Sequence, residues 1–294
     1  MRERYPLEML LLLALGACSF DPPGIAPQDA QGDSRAGQDV TPGDGSALDR
    51  HALITEVNAL GAFGFIEIYN PTTTAIDLSA YYLSDCNEYW KLPGQQAGNA
   101  SIILQLSDFL VKFPPGQMLT AGGVATIAID GPAFENEYTS LPTYTIGVPI
   151  AGSTAMIPTV IPAGTPDPQI TDSGEMVVLV HWDGTSDRVE DVDLIVTGQP
   201  STDNAPIAKA PVDGPDLDLT TSSYALDGLS MPAMADVATG KKTYKRIRLE
   251  GTDEQHAGTG NGITGDDETT EQTSLTWDSG LSNGTPGVIA TTLQ

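Results

Sequence analysis

From Ala52 onward the apolar residues of this chain come in short runs broken by glycine, proline and aspartate, and no stretch keeps a helical repeat for three turns. Runs of this kind read as β-strands. Leu53-Ile54-Thr55-Glu56-Val57 and Phe65-Ile66-Glu67-Ile68-Tyr69 are β-branched and aromatic, with Glu67 set between two isoleucines as on a half-buried strand. Asn70-Pro71 breaks the second run before Ile76-Asp77-Leu78. Val124–Ile129, Met176–Trp182, Val192–Val196 and Tyr244–Leu249 continue the pattern. The chain holds 31 glycines and 22 prolines, which suits many short strands joined by turns. The predicted fold class is all-β, an antiparallel β-sandwich.

Charge narrows what such a sandwich can meet. Thirteen lysines and arginines face 39 aspartates and glutamates, for a net charge of −26. A surface of that sign repels phosphate backbones and anionic headgroups, so nucleic acid is an unfavourable partner, whereas divalent cations and basic partners are favoured. The five clustered bases Lys241, Lys242, Lys245, Arg246 and Arg248 are expected to pair with neighbouring carboxylates.

The N-terminus is of a different kind. Arg2 and Arg4 precede the apolar run Met9–Ala14, which ends in Leu15-Gly16-Ala17-Cys18. A positive start, a short apolar stretch and small residues make an export signal, too short to span a bilayer. The last four residues resemble a bacterial lipobox, which implies cleavage after residue 17 and acylation of Cys18. The chain would then be held to membrane lipid through Cys18, at the cell envelope, on the outer membrane or its periplasmic face. Cys86 would remain as the one thiol, a small buried hydrophobe, and no internal disulfide could form. Residues 18–50 have few groups to bury and read as a disordered linker. The folded domain is expected over residues 51–292.

The order of segments within that domain resembles a lamin tail domain. Ile54–Val57, Phe65–Pro71 and Ile76–Leu83 match its opening, and Pro114-Pro115-Gly116 followed by Gly122-Gly123-Val124 matches its middle. Val192-Asp193, Arg246, Trp277 and Thr285-Pro286-Gly287 correspond to its later strands and closing proline-glycine. The resemblance implies an immunoglobulin-like sandwich that works as an adhesive or positioning module. Glu135–Gln169 and residues 198–241 stand as insertions, giving long loops and leaving open an added subdomain.

Chemistry is sparse. Asp172-Ser173-Gly174 and Asp278-Ser279-Gly280 repeat the loop of an aspartic protease, but Glu175 and Leu281 follow where a small residue belongs. The Gly260–Gly265 glycine pattern runs into Asp266-Asp267-Glu268, which would repel a pyrophosphate. His51, His181 and His256 are too scattered for zinc. Two acidic groups, Asp213, Asp216 and Asp218, and Asp266, Asp267 and Glu268, offer oxygens of the kind calcium takes. The reading that follows is an exported, lipid-anchored, non-catalytic binding or structural module of the envelope, with a protein or polysaccharide partner, no required cofactor and calcium as a structural ion. Its alternatives are a hydrolase of envelope polymers using Asp and Glu carboxylates, and a nucleic-acid-binding module.

Overall fold

The apolar runs pair into two sheets laid face to face. The computed structural model describes residues 51–59, 61–171, 174–198, 208–227, 243–249, 260–263, 265–278 and 283–293. Its strands in chain order are β1 (Leu53–Asn58), β2 (Phe65–Tyr69), β3 (Ile76–Asp77), β4 (Tyr81–Ser84), β5 (Leu110–Lys112), β6 (Met118–Leu119) and β7 (Val124–Asp130). They continue as β8 (Tyr144–Val148), β9 (Thr154–Ala155), β10 (Ile157–Pro158), β11 (Gly174–His181), β12 (Glu190–Gly198), β13 (Tyr244–Arg246) and β14 (Trp277–Asp278). The first sheet has the order β14-β13-β1-β2-β7-β8-β9, the second β10-β5-β4-β11-β12, and β3 pairs with β6 as a separate ribbon. Helices are short: α1 (Leu92–Ala97), α2 (Gly131–Tyr138), α3 (Thr273–Thr276) and a few 3-10 turns. The fold is an all-β sandwich, as the runs predict. Residues 1–50, on which the expected signal, linker and lipidated Cys18 fall, lie outside the described residues.

Three apolar layers hold it together. Between the sheets, Ile54, Val57 and Ile66 of the first meet Leu83, Val177 and Ile195 of the second. On the outer face of the second sheet, Tyr82, Met176 and Val178 pack against Leu92, Ile102 and Val212. β11 is therefore buried on both faces, which is why Met176–Val180 is apolar without alternation. Outside the first sheet, Phe134 of α2 meets Phe65 edge to face, with ring centroids 5.5 Å apart.

Two readings change. Glu67, expected on a half-buried strand, is fully buried, because residues near the C-terminus cover the outer face of β1 and β2. The span Glu135–Gln169 is more than a loop insertion. It carries β8, which runs parallel to β7, then β9, parallel to β8, and β10, which joins β5 in the second sheet. A parallel neighbour needs a crossover, and α2 supplies it. Asp130 caps that helix by accepting from the Ala133 amide at 2.8 Å, and Pro132 occupies its first turn. Of the second insertion, residues 208–227 are described; they pack on the outer face of the second sheet through Val212 and Tyr224.

Candidate functional site

The β11–β12 hairpin places two buried carboxylates, Asp191 and Asp193. Leu179 pairs with Asp193 and Val180 with Asp191, so Val192 is the extra residue of a β-bulge. Val192 packs between the sheets. Its two neighbours serve two separate buried cations. Asp193 accepts from Arg246 Nη2 at 2.7 and 2.8 Å and from the Ile54 amide at 2.5 Å. Asp191 lies 2.6 Å from Lys209 Nζ and accepts from the Tyr89 hydroxyl at 2.7 Å. Lys209 also meets Asp227 at 3.1 Å and stands over the rings of Tyr89 and Tyr224. Burial works against its charge, but Asp191 and Asp227 outweigh it and hold the Lys209 pKa above its ordinary value.

A second acidic pair lies on the other sheet. Glu56 and Glu67 face each other across β1 and β2, both buried. Thr55, the extra residue of a bulge in β1, donates to Glu67 Oε1 at 2.8 Å, and the Gly287 amide donates to Oε2 at 2.6 Å. Glu56 accepts from Thr243 Oγ1 at 2.6 Å and from the Thr285 amide at 3.1 Å, with Lys245 at 3.6 Å. The two carboxylates thus hold the Thr285–Gly287 turn against the sheet. Burial pushes Glu67 up to about 7, partly opposed by Thr55, and raises Glu56 as well.

An open polar cleft of about 790 Å³ lies at the far end of the hairpin, lined by His181, Trp182, Asp187, Arg188, Tyr224 and Asn261 among others. Its parts are engaged with one another. His181 Nδ1 is 2.8 Å from Glu190, Ser222 Oγ donates to Asp187 Oδ2, and Ser186 Oγ donates to the Arg188 carbonyl. The Trp182 indole is buried and donates to the Ser186 carbonyl, so it is no exposed stacking platform.

At the edge of this cleft the first predicted acidic group is partly assembled. Asp213 and Asp216 come together with Asp187, with ligand atoms within 4.8 Å of one another. Gly214 makes the approach possible: a Cβ there would sit 2.6 Å from the Ser186 carbonyl oxygen, and its amide donates to Asp187 Oδ1. Asp213 Oδ2 accepts from Asn99, while Oδ1 is buried without a hydrogen-bond donor. That oxygen fits a cation, although three carboxylates supply only part of the six to eight oxygens that calcium takes, the remainder falling to carbonyls and water. Asp218 stays apart and caps its own turn through Thr220. Asp266, Asp267 and Glu268 are buried, Asp267 capping the 3-10 turn through Thr269, and they form no ligand cluster among the described residues. Asp187 lies 26 residues before Asp213 in sequence and reaches the other two only through the fold.

Of the remaining sequence candidates, Asp172, Ser173, His256, Ser279 and Gly280 lie outside the described residues. Lys245 and Arg246 pair with carboxylates, while Lys241 and Lys242 lie outside the described residues. Cys86 is buried, and burial pushes its thiol up to about 12.

No known family profile matches the chain, and no curated protein matches it. Among solved structures the chain is similar to a DUF4876 family protein from Bacteroides thetaiotaomicron, with 12% identity and a TM-score of 0.43, over 82% of this chain and 75% of that one.

The buried glutamates give the domain a pH dependence of definite sign. The folded pKa of Glu67, about 7, lies above the unfolded value of 4.5, so its contribution is complete below about 4.5 and is lost as pH rises through about 7. Urea unfolding is expected to show greater stability at pH 5 than at pH 8. Glu67→Gln, which keeps an acceptor for Gly287, is expected to shrink that difference by on the order of 2–3 kcal/mol. An unchanged pH slope in the variant would mean that Glu67 titrates at its ordinary value.

Proposed function

We propose that this chain is an exported, lipid-anchored module of the cell envelope, a lamin-tail-type sandwich that acts by binding and positioning without catalysis. One observation carries the non-catalytic part. The buried ionisable groups Arg246, Asp193, Lys209, Asp191, Glu56 and Glu67 hold strands, loops and backbone amides to one another, and none of them lines the polar cleft. In an enzyme such groups converge on open space. The family-like residues point the same way, since Asp193 and Arg246 form the buried pair and the Thr285-Pro286-Gly287 turn is held by the two glutamates.

The anchor of this reading is an acyl-bearing Cys18, which lies outside the described residues. Detergent-phase partitioning of the full chain from a bacterial host that processes lipoproteins tests it. Wild type is expected in the detergent phase with an acylated Cys18 at its N-terminus by mass spectrometry, and Cys18→Ala in the aqueous phase. A Cys18→Ala protein that still entered the detergent phase would overturn the anchor.

A structural calcium ion at Asp187, Asp213 and Asp216 belongs to the same reading, supported by the donorless Asp213 oxygen. With a dissociation constant of roughly 10⁻⁴–10⁻³ M, as in extracellular modules, 10 mM calcium is expected to stabilise the domain by about 1.4–2.7 kcal/mol. Thermal melts should show a rise that magnesium reproduces weakly and Asp213→Asn removes. Equal responses to calcium, magnesium and sodium chloride would reduce the effect to charge screening.

A further inference from the structure

The corner at which the chain leaves one sheet for the other has no assigned role. β9 belongs to the first sheet and β10 to the second, with Met156 alone between them. Beside that corner lies an open groove of about 500 Å³, within the range of ligand-binding clefts. Leu110, Val111, Ile129 and Ile146 floor it, and Val148 and Ile161 stand exposed at its rim. Its outer wall is the loop after β10, anchored by the Asp167 and Gln169 amides, which donate to Leu106 and Ser107 carbonyls at 2.8 and 2.9 Å.

Apart from the Gln169 side-chain amide, which donates to Asp167, the polar side chains of the groove are acceptors. Pro158, Pro162, Pro166 and Pro168 line it and have no N–H to offer. Asp108, Asp130 and Asp167 line it too; Asp108 accepts from the Gln105 amide and the Ser107 hydroxyl, Asp130 from the Ala133 amide and Asp167 from the Gln169 side chain. No lysine, arginine or histidine lines the groove, and among the described residues none of these three aspartates forms an ion pair. An occupant must therefore bring apolar bulk and positive, donor-rich groups together. The backbone says more. β9 pairs with β8 at Tyr144 and Thr145, and among the described residues no strand pairs with the outer side of Ile146, Gly147 and Val148, which line the groove. An open edge beside apolar side-chain pockets is the arrangement by which sheets take up an extended peptide.

We propose that this groove docks an extended segment of a partner protein that carries lysine or arginine next to bulky apolar residues. The segment adds to the Ile146–Val148 edge, sets its apolar side chains on the floor and places its cationic heads among Asp108, Asp130 and Asp167. The inference rests on the binding-module reading and names its partner class; it holds whether or not Cys18 is acylated, so the partitioning experiment and the one below fail independently.

Isothermal titration of the full chain in detergent, at about 0.15 M salt where long-range attraction is screened, provides the test. The probe is the blocked pentapeptide Val-Lys-Ile-Arg-Val, with Val-Glu-Ile-Glu-Val, Ser-Lys-Ser-Arg-Ser and decylammonium as comparators. Saturable one-to-one binding of the basic apolar peptide is expected, at least tenfold tighter than either peptide comparator. Asp167→Asn and Ile161→Ser, both at exposed positions, should each weaken it severalfold while leaving the thermal unfolding midpoint in place. Three results would overturn the proposal: no saturable binding of the basic peptide, equal binding by the serine peptide with no effect of either substitution, or binding of decylammonium alone, which would make the groove a small-amphiphile site.

Discussion

Arg246 is the side chain on which the two sheets close. From β13 its Nε donates to the Ile54 carbonyl in β1 at 2.9 Å, its Nη2 reaches both oxygens of Asp193 in β12, and its Nη1 donates to Glu271 at 2.6 Å. The Trp277 ring of β14 stacks 4.8 Å from the guanidinium. An arginine cannot shed its proton to escape burial, so a fully buried one stays only where carboxylates meet it. Asp193 completes the tie by accepting the Ile54 amide, so one ion pair fixes β12 of the second sheet against β1 of the first. The strands at that edge, β13 and β14, and the turn bearing Glu271 are assembled around it.

The same economy explains how so acidic a chain keeps a defined core. Among the described residues the one cysteine, Cys86, is a free thiol, and cross-links between distant segments fall to a few buried polar groups. Lys209 joins residues 208–227 to the β12 bulge, and Glu56 with Glu67 joins the Thr285–Gly287 turn to the first sheet. Arg246 and the side chain of Lys209 are buried, and the net charge of the chain is −26. That sign, together with the Asp108, Asp130 and Asp167 carboxylates beside an apolar groove, is what the proposed docking of a cationic segment rests on.

The main strands were legible because their signal is local. β1, β2, β7, β11 and β12 fall on runs whose branched and aromatic residues permit little else. β8 to β10 were hidden: they are short, interrupted by Gly147, Pro149 and Pro158, and two of their pairings are parallel, so neither alternation nor a tight turn marks them. Glu67 misled because what covers it lies 220 residues away in sequence. At the candidate cation site Asp213 and Asp216 were visible as an acidic run, but Asp187 joins them only through the close approach that Gly214 allows. Asp266, Asp267 and Glu268 formed an equally good acidic run and turned inward instead, since charge density in sequence does not reveal which side of the chain is covered.

A double-mutant cycle on Arg246 and Asp193, read by urea unfolding at neutral pH, tests the closing role of the ion pair most directly. Arg246→Met and Asp193→Asn each strand a buried charge or its partner groups and should each lose about 3–5 kcal/mol. The double variant, which removes both charges of the pair although Glu271 still loses Arg246, should lose less than the sum by roughly 2–3 kcal/mol. Single losses below about 1 kcal/mol that simply add would show that the sheets close without this pair.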